Sequence, residues 1–341
     1  MSNSRQSYQA KQKNKKRKKT FFWISAPFLI LILGATIYGT FLYNKAQSVM
    51  NESYKPIERE STKREKQVDP DFDNISIIIA GLDDSNLRNY TGGSRTDALM
   101  LATFNEKEKS VKLLSIPRDS YVYIPNKGYN DKINHAYGKG GIASTIETVE
   151  NLFDIPIDYY VNLNFNAFID IVNALDGIEV DVPYSFSEQD SQDRQNAIHL
   201  QKGLQHLDGE EALALARTRK LDNDIERGKR QQDILKAIIN KATSVKSLTK
   251  YSDLIQAIGD NMTTDLSFNE MKSFIDYATA GSKLSIESLT LNGIDNYING
   301  IYYYQLDDTD LEETKLTLKN HLSDNTTSIA SERTSDESNT P

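Results

Sequence analysis

Apolar and polar positions fall along the chain in blocks that predict alternating strands and helices. Ile75–Ala80 (ISIIIA) is a continuous β-branched run and predicts a buried strand. Gly81 breaks it, and Asp83-Asp84-Ser85 opens a polar loop. Asp97–Asn105 and Val111–Ile116 flank the charged link Glu106–Ser110, which predicts a hairpin. Further on, the spacing predicts a helix over Ile142–Phe153, a strand over Tyr159–Phe165 and a helix over Ala167–Leu175. Asp176-Gly177 then turns the chain into a strand over Ile178–Val182. Glu210–Ala216 predicts a helix with Asp208 as its N-cap. Gly228–Ala242 predicts another, with Ile234, Leu235, Ile238 and Ile239 on one face. Tyr251–Met262 and Ser267–Ala280 read as amphipathic helices, and Ile298–Gln305 as a closing turn and strand. This alternation over 73–320 predicts a single α/β domain.

The flanks follow other patterns. Phe21–Tyr43 (FFWISAPFLILILGATIYGTFLY) carries no formal charge and is long enough to cross a hydrocarbon core of about 30 Å. Aromatic residues stand at both its ends. The run is longer than a signal-peptide core and is followed by Asn-Lys rather than small residues, so a retained transmembrane helix over 21–43 is expected. Residues 1–20 hold eight Lys or Arg and no acid, which predicts a cytoplasmic N-terminus and an extracellular remainder, a single-pass type II topology. Residues 44–72 are polar and read as an extracellular spacer. Residues 321–341 are rich in Ser, Thr, Asn and Asp and read as a disordered tail.

Composition narrows the chemistry. The chain has 341 residues, a formal net charge of −8 and no cysteine. Thiol nucleophiles, iron–sulfur sites and zinc ribbons are therefore excluded. Without the eight basic residues of the N-terminal segment, the rest carries a net charge of −16 (−8 − 8) and is poorly suited to nucleic acid. The four His are scattered, and neither a G-x-S-x-G elbow nor a P-loop is present.

Arginine beside carboxylate stands out instead. The hairpin loop centres near 107–108, so Asp97 and Arg118 come side by side at its open end. Arg95 adjoins Asp97, and Asp83 reaches the same edge if Ile75–Ala80 runs parallel to Val111–Ile116. Ligands of α/β sheets commonly bind at such strand ends. A second cluster comprises Arg217, Arg219, Lys220, Asp222, Asp224, Arg227, Arg230 and Gln231, with Arg227 and Gln231 on one helix face. Guanidinium groups bind phosphate oxygens bidentately, and Mg²⁺ needs only one or two protein carboxylates beside substrate phosphates. Together the clusters could form a pyrophosphate–Mg²⁺ pocket. A surface salt-bridge cluster and a solvated charged turn fit the same spacings.

At these residues the chain resembles the LytR-CpsA-Psr family of Gram-positive wall-assembly enzymes. The stretches that carry the resemblance are GLDDS (81–85), SRTDALML (94–101), LLSIPRDSYVYIP (113–125), KINHAYGKGG (132–141), LDGEEALALARTRK (207–220) and DNDIERGKRQQ (222–232). The resemblance implies an α/β/α sandwich with a mixed central sheet and an apolar tunnel for a lipid tail. It implies a phosphotransferase that moves a glycopolymer from a polyprenyl-pyrophosphate carrier to a muramyl hydroxyl of peptidoglycan. Carried over by residue, Asp83 and Asp97 would hold Mg²⁺ (or Mn²⁺), and Asp83, Asp97 and Arg118 would form the catalytic set. Arg95, Arg118, Arg217, Arg219, Arg227 and Gln231 would bind the pyrophosphate. Two positions depart from the family pattern. Ser85 stands where many members have Arg, and Glu226 where many have Gly, which places a negative charge close to the pocket. Teichoic acid, capsule and wall rhamnan are all open as the polymer. A non-catalytic lipid-pyrophosphate binder that regulates the envelope and a pyrophosphatase on the same carrier are the alternatives.

The charge asymmetry predicts topology directly. Protease added to intact protoplasts should digest residues 44–341, and a protected C-terminal body would refute the type II orientation.

Overall fold

The computed structural model describes residues 3–57, 63–64, 68–71, 73–82, 96–220, 223–244, 250–274 and 284–323, with side chains from residue 26 onward except 27, 29, 139 and 260. The chain divides into two units, 1–48 and 49–341. The first lies within α1 (Asn3–Ser53), one continuous 51-residue helix. Phe28, Ile30, Leu31, Ile32, Leu33 and Ile37 are exposed along it. Among the described residues no helix is long and apolar enough to cross a membrane. The side chains of 21–25, within the expected span, lie outside those described.

The second unit is built on a six-stranded mixed sheet in the order β11-β6-β1-β2-β3-β12. Its strands are β1 (Ile75–Leu82), β2 (Thr96–Asn105), β3 (Ser110–Ser115), β6 (Tyr159–Asn164), β11 (Met262–Thr264) and β12 (Ser285–Thr290). β2 pairs antiparallel with β1 and β3, so β1 and β3 run parallel. β6 and β12 add parallel neighbours outside them.

Strand periodicity divides the sheet into two chemically different faces. Ile78, Ala80, Leu99, Leu101 and Leu114 enter a large core covered by α2 (His135–Phe153) and α8 (Asp308–Leu322). On the opposite face Ala102, Val111 and Leu113 meet Leu235 of α5 (Asp224–Ala242). Helices thus cover both faces. A smaller core joins α3 (Phe165–Ala174), α4 (Gly209–Arg217), α5, β7 (Ile178–Val182) and β10 (Gly203–Leu207).

Several expectations are corrected. The helix predicted over 142–153 is present, and a further helical segment from His135 precedes it, the two meeting at Gly141, whose non-helical φ of 60° and ψ of −154° suit glycine. The helix predicted from Gly228 begins at Asp224, because the Asn223 side chain caps it at the amides of Ile225 and Glu226. Of Ser267–Ala280, Phe268–Ser273 is helical (α7) and 275–280 lie outside the described residues. The spacer expected from 44 is helical to Ser53, and its part from Val49 belongs to the second unit. The Ser53 hydroxyl donates to the Gly259 carbonyl, and the Lys55 amide to that of Thr264. Short hairpins escaped the sequence pattern altogether: β4 (Tyr121–Ile124) with β5 (Tyr129–Lys132), and β8 (Phe186–Glu188) with β9 (Ile198–Leu200). Ile298–Gln305 does not close the fold. It belongs to the hairpin of β13 (Gly293–Ile298) and β14 (Ile301–Leu306), which leads into α8.

The tail expected from 321 begins inside the fold. His321 is 5 % exposed, with its ring nitrogens against the hydroxyls of Thr103 and Ser110 at 2.8 and 2.9 Å. Its carbonyl accepts from the side-chain amides of Asn74 and Asn105. Burial pushes the imidazole down to about 4, with Lys112 adding to the effect against Glu108 and Glu287. A neutral buried ring favours the folded state less as the unfolded chain gains a proton. Stability should therefore be constant above about pH 6.5 and fall by roughly 3 kcal/mol between there and pH 4. His321→Gln, which keeps hydrogen bonding without titrating, should remove that component. An unchanged slope in urea titrations of the variant would refute the assignment.

Candidate functional site

The site lies on the second face of the sheet, where small residues leave room. Gly81 of β1 faces Ala98 of β2 so closely that an added Cβ would stand 3.1 Å from the alanine Cβ. β1 and β2, α3, α4 and α5 enclose a cavity of about 530 Å³. Much of its wall is apolar, with Ile79, Met100, Leu163, Phe168, Leu235 and Ile238. Asp97, Arg118, Arg217, Arg219, Arg227 and Gln231 line it as well. Six of the eight residues picked from the sequence thus converge on one cavity. The other two, Asp83 and Arg95, lie outside the described residues, as does Ser85.

Close packing sets α5 against the sheet. A Cβ on Gly228 would lie 2.9 Å from the Ser115 Cβ, so only glycine lets α5 sit on the end of β3. Gln232 then donates to the carbonyls of Leu113 and Leu289, bridging β3 and β12. Arg230 serves the fold rather than the cavity. It is buried, and its Nε donates to the Leu215 carbonyl at 3.2 Å, joining α5 to the end of α4. Gln231 lines the cavity and donates to the Ala216 carbonyl at 3.1 Å.

Carboxylates hold the arginines in place. Arg118 Nη1 donates to Asp97 Oδ1 at 2.7 Å, the pairing that the hairpin register predicts. Its Nε lies 3.6 Å from Asp119 Oδ2 and 3.9 Å from Asp224 Oδ2. Asp224 Oδ1 also meets Arg227 at 3.2 Å and Arg219 at 3.3 Å. One buried carboxylate therefore serves three arginines, a role that its place in a charged turn did not reveal. Arg217 stacks on the Phe165 ring, 5.0 Å from its centre. Lys132 extends the network by pairing with Asp119 at 2.8 Å.

The electrostatics match this layout. Burial disfavours the Arg118 charge, but Asp97, Asp224 and Asp119 outweigh it and raise the pKa. Burial dominates at Arg227, aided by Arg118 and Arg219, and pushes it down to about 10 despite Asp224. Burial of Asp119 is outweighed by Lys132 and Arg118, which lower its pKa. Among the described buried atoms, Arg118 Nε, Arg227 Nε and Asp224 Oδ2 have no hydrogen-bond partner. Two of these three are cationic donors, which suits an anionic guest. Glu226 is no part of the cavity wall. It is exposed and paired with Lys229 at 2.7 Å, so the extra charge expected near the pocket is neutralised outside it.

The LytR_cpsA_psr family model matches residues 40–320. The chain belongs to the LytR_cpsA_psr family. It is 40% identical over 318 residues to the polyisoprenyl-teichoic acid--peptidoglycan teichoic acid transferase TagT of Bacillus subtilis, covering 91% of this chain and 98% of that protein. The transferase TagU of Halalkalibacterium halodurans is 39% identical, covering 84% and 92%. Among solved structures, TagT with bound octaprenyl pyrophosphate lipid superposes with a TM-score of 0.63 at 40% identity, over 79% of this chain and 99% of that one. TagT bound to LIIa-WTA gives 0.65 at 42% identity, over 78% and 97%.

If the arginines share one diphosphate, replacing one by Lys keeps the charge but loses the planar fork. Charge-assisted hydrogen bonds contribute roughly 1.5–3 kcal/mol each, so turnover should fall about tenfold or more. The side chains of Arg227, Arg118 and Arg219 are 7%, 21% and 45% exposed, so Arg227→Lys should cost most and Arg219→Lys least. Arg17→Lys serves as control. Parent-like lipid-pyrophosphate binding and turnover in all three variants would reduce these residues to surface charges.

Proposed function

We propose that this chain is a transferase of wall assembly that moves a glycopolymer of the teichoic acid class from a polyprenyl-pyrophosphate carrier to a muramyl hydroxyl of peptidoglycan. The observation that carries the reading is one cavity with an apolar wall and a cluster of four arginines. That is the complement of a lipid pyrophosphate, which has an apolar chain and a doubly charged head. The relatives named as teichoic acid transferases, and the related structure that holds octaprenyl pyrophosphate, support it.

The reaction follows from the charges. The muramyl hydroxyl oxygen attacks the phosphorus that carries the glycopolymer, and the bridging P–O bond of the diphosphate breaks. Polyprenyl phosphate leaves, and the hydroxyl proton passes to a carboxylate of the site, Asp83 or Asp97. Arg118, Arg217, Arg219 and Arg227 neutralise the diphosphate and the charge that grows on the leaving phosphate. Gln231 adds a polar side chain at the same wall.

Magnesium, or manganese, belongs to this proposal. Among the described residues no group of three His, Asp or Glu is placed to hold a metal. Asp97 nevertheless offers a hard carboxylate on the cavity wall, and one or two carboxylates beside phosphate oxygens suffice for Mg²⁺. The residues therefore fit such an ion, with Asp83 and Asp97 as its protein ligands. Bound there, it would share in neutralising the diphosphate.

The uncharged run 21–43 would anchor the chain, with the N-terminus cytoplasmic and the transferase domain extracellular, near the leaflet that presents the lipid carrier. The exposed apolar side chains of α1 support that placement.

The test uses full-length protein in detergent with a lipid-pyrophosphate glycopolymer and a peptidoglycan fragment, with products resolved by mass. A phosphodiester-linked conjugate and polyprenyl phosphate are expected, and chelation should stop the reaction until Mg²⁺ is restored. Release of the polymer to water alone would favour the pyrophosphatase, and binding without turnover the regulator. Asp97→Asn removes a charge but little volume, so it should cut turnover at least tenfold and weaken the Mg²⁺ response while circular dichroism is unchanged. A parent-like Mg²⁺ response would remove Asp97 from the metal site.

A further inference from the structure

Among the described residues the cavity wall carries two carboxylates, and their surroundings differ. Asp97 is bonded to Arg118. Glu188 of β8 has no such counterpart. Its carboxylate accepts from the Gln189 backbone amide at 3.1 Å, and no lysine or arginine among the described residues pairs with it. Gln189 lines the cavity beside it, with a side chain held at both ends. Its Nε2 donates to Asp193 Oδ1 at 3.1 Å, and its Oε1 accepts from the Gln195 side chain at 2.7 Å.

The fold brings this pair to the arginine end of the cavity. Lys220, next in sequence to Arg219 and also part of the wall, donates to the Ser187 carbonyl. The β8–β9 hairpin is thereby fastened to the turn that bears the arginines. Phe186 shares a face of β8 with Glu188 and enters the smaller core, which also contains Ala216 and Ile234 of the cavity wall. The chain after Gln189 is fixed as well. Asp190 is buried and accepts from the amides of Gln192 and Arg194 at 3.0 and 2.9 Å. The Ser191 amide donates to Glu210 of α4 at 2.9 Å. Both side chains are therefore held in place before a ligand arrives, which lowers the ordering cost of binding.

A carboxylate without a cation repels a diphosphate, so Glu188 has another use in this wall. An ionised carboxylate only accepts hydrogen bonds, and what it accepts from is a neutral hydroxyl or amide. A lipid-linked glycopolymer carries such donors next to its phosphates, on the sugar bonded to the diphosphate. Its lipid end carries none. The wall thus combines three chemistries: apolar side chains, guanidinium groups, and a carboxylate with a carboxamide. The donor combines a lipid, a diphosphate and a sugar.

We propose that Glu188 and Gln189 form the donor-sugar subsite, which holds the first sugar of the glycopolymer by hydrogen bonds to its hydroxyl and amide groups. The inference rests on the lipid-pyrophosphate reading of the cavity.

The test compares two probes by calorimetry on full-length protein in detergent: octaprenyl pyrophosphate, and the same lipid bearing a single N-acetylglucosamine. Glu188→Ala/Gln189→Ala should weaken the sugar-bearing lipid about tenfold and leave the bare lipid unweakened, since a hydrogen bond to a charged group is lost only where a sugar made it. Glu188→Gln, which keeps an acceptor oxygen, should weaken the sugar-bearing lipid less. The bare lipid reports an intact fold in each variant. An equal effect on both lipids, unweakened binding of the sugar-bearing lipid, or none to the parent would overturn the subsite. Tighter binding of both lipids to Glu188→Gln would do the same, leaving Glu188 a repelling charge. Selective weakening in a protein that gives no transfer product would support the subsite and refute the transferase. Transfer by the parent, with sugar-bearing lipid bound equally by the alanine variant, would refute the subsite alone.

Discussion

Four guanidinium groups must share one small volume before any anion arrives, and the site is organised around that repulsion. At Arg227 burial is the main cost and Arg118 and Arg219 add to it, together pulling its pKa down to about 10. Asp224 offsets it by meeting three of the four, and Asp97 and Asp119 complete the neutralisation around Arg118. The carboxylate can do this because it opens α5, where the helix dipole favours an anion and Asn223 supplies the cap. Removing Asp224 would leave buried positive charges uncompensated, which is costlier than losing a surface pair.

The two-sided sheet makes such a site compatible with a stable domain. β1, β2 and β3 send alternate residues to a sealed core on one face and to the α5 side on the other, so the cavity does not hollow out the core. Small residues set the spacing on the open side. Gly81 and Ala98 leave room beneath the cavity, and Gly228 lets α5 approach β3. The same helix carries Ile234, Leu235 and Ile238 to the apolar wall and Arg227 and Gln231 beside them. One helix thereby registers the apolar part of the cavity against its arginines.

Legibility in the sequence followed the range of each constraint. Asp97 against Arg118 was readable because hairpin register is arithmetic, and Met100 does face Ser115 as that arithmetic requires. Strands β1 to β3, helices α3 to α5 and α6 (Tyr251–Asn261) were readable from their apolar periods. Asp224 was named in the second cluster but given no role of its own, although Asn223 ahead of it is an N-cap signal that would have moved the helix start four residues back and placed Asp224 beside Arg227. The three- and four-residue strands β4, β5, β8 and β9 are too short for a period to register. α8 was concealed because it is mostly polar and buries only Thr314, Leu318 and His321. The convergence of β3 with the α4–α5 junction, about a hundred residues apart, depends on tertiary packing that no local pattern encodes.

That convergence also explains why arginine is used with so many carboxylates. A flexible cation could reach a diphosphate, but it would have to be ordered during the reaction, and lysine's three rotatable donors fix no direction. Here the ordering is complete in the folded state. Arg118 is fixed by Asp97 and sits beside Asp119 and Asp224, Arg227 by its own helix turn, and Arg217 by the Phe165 ring. Donors that need no rearrangement stabilise developing charge more effectively than donors that must turn toward it. The Nε atoms of Arg118 and Arg227 are buried and make no hydrogen bond, and Arg118 Nε stands 3.6 and 3.9 Å from Asp119 and Asp224. The carboxylates thus hold the cluster assembled while Arg118 and Arg227 line the cavity.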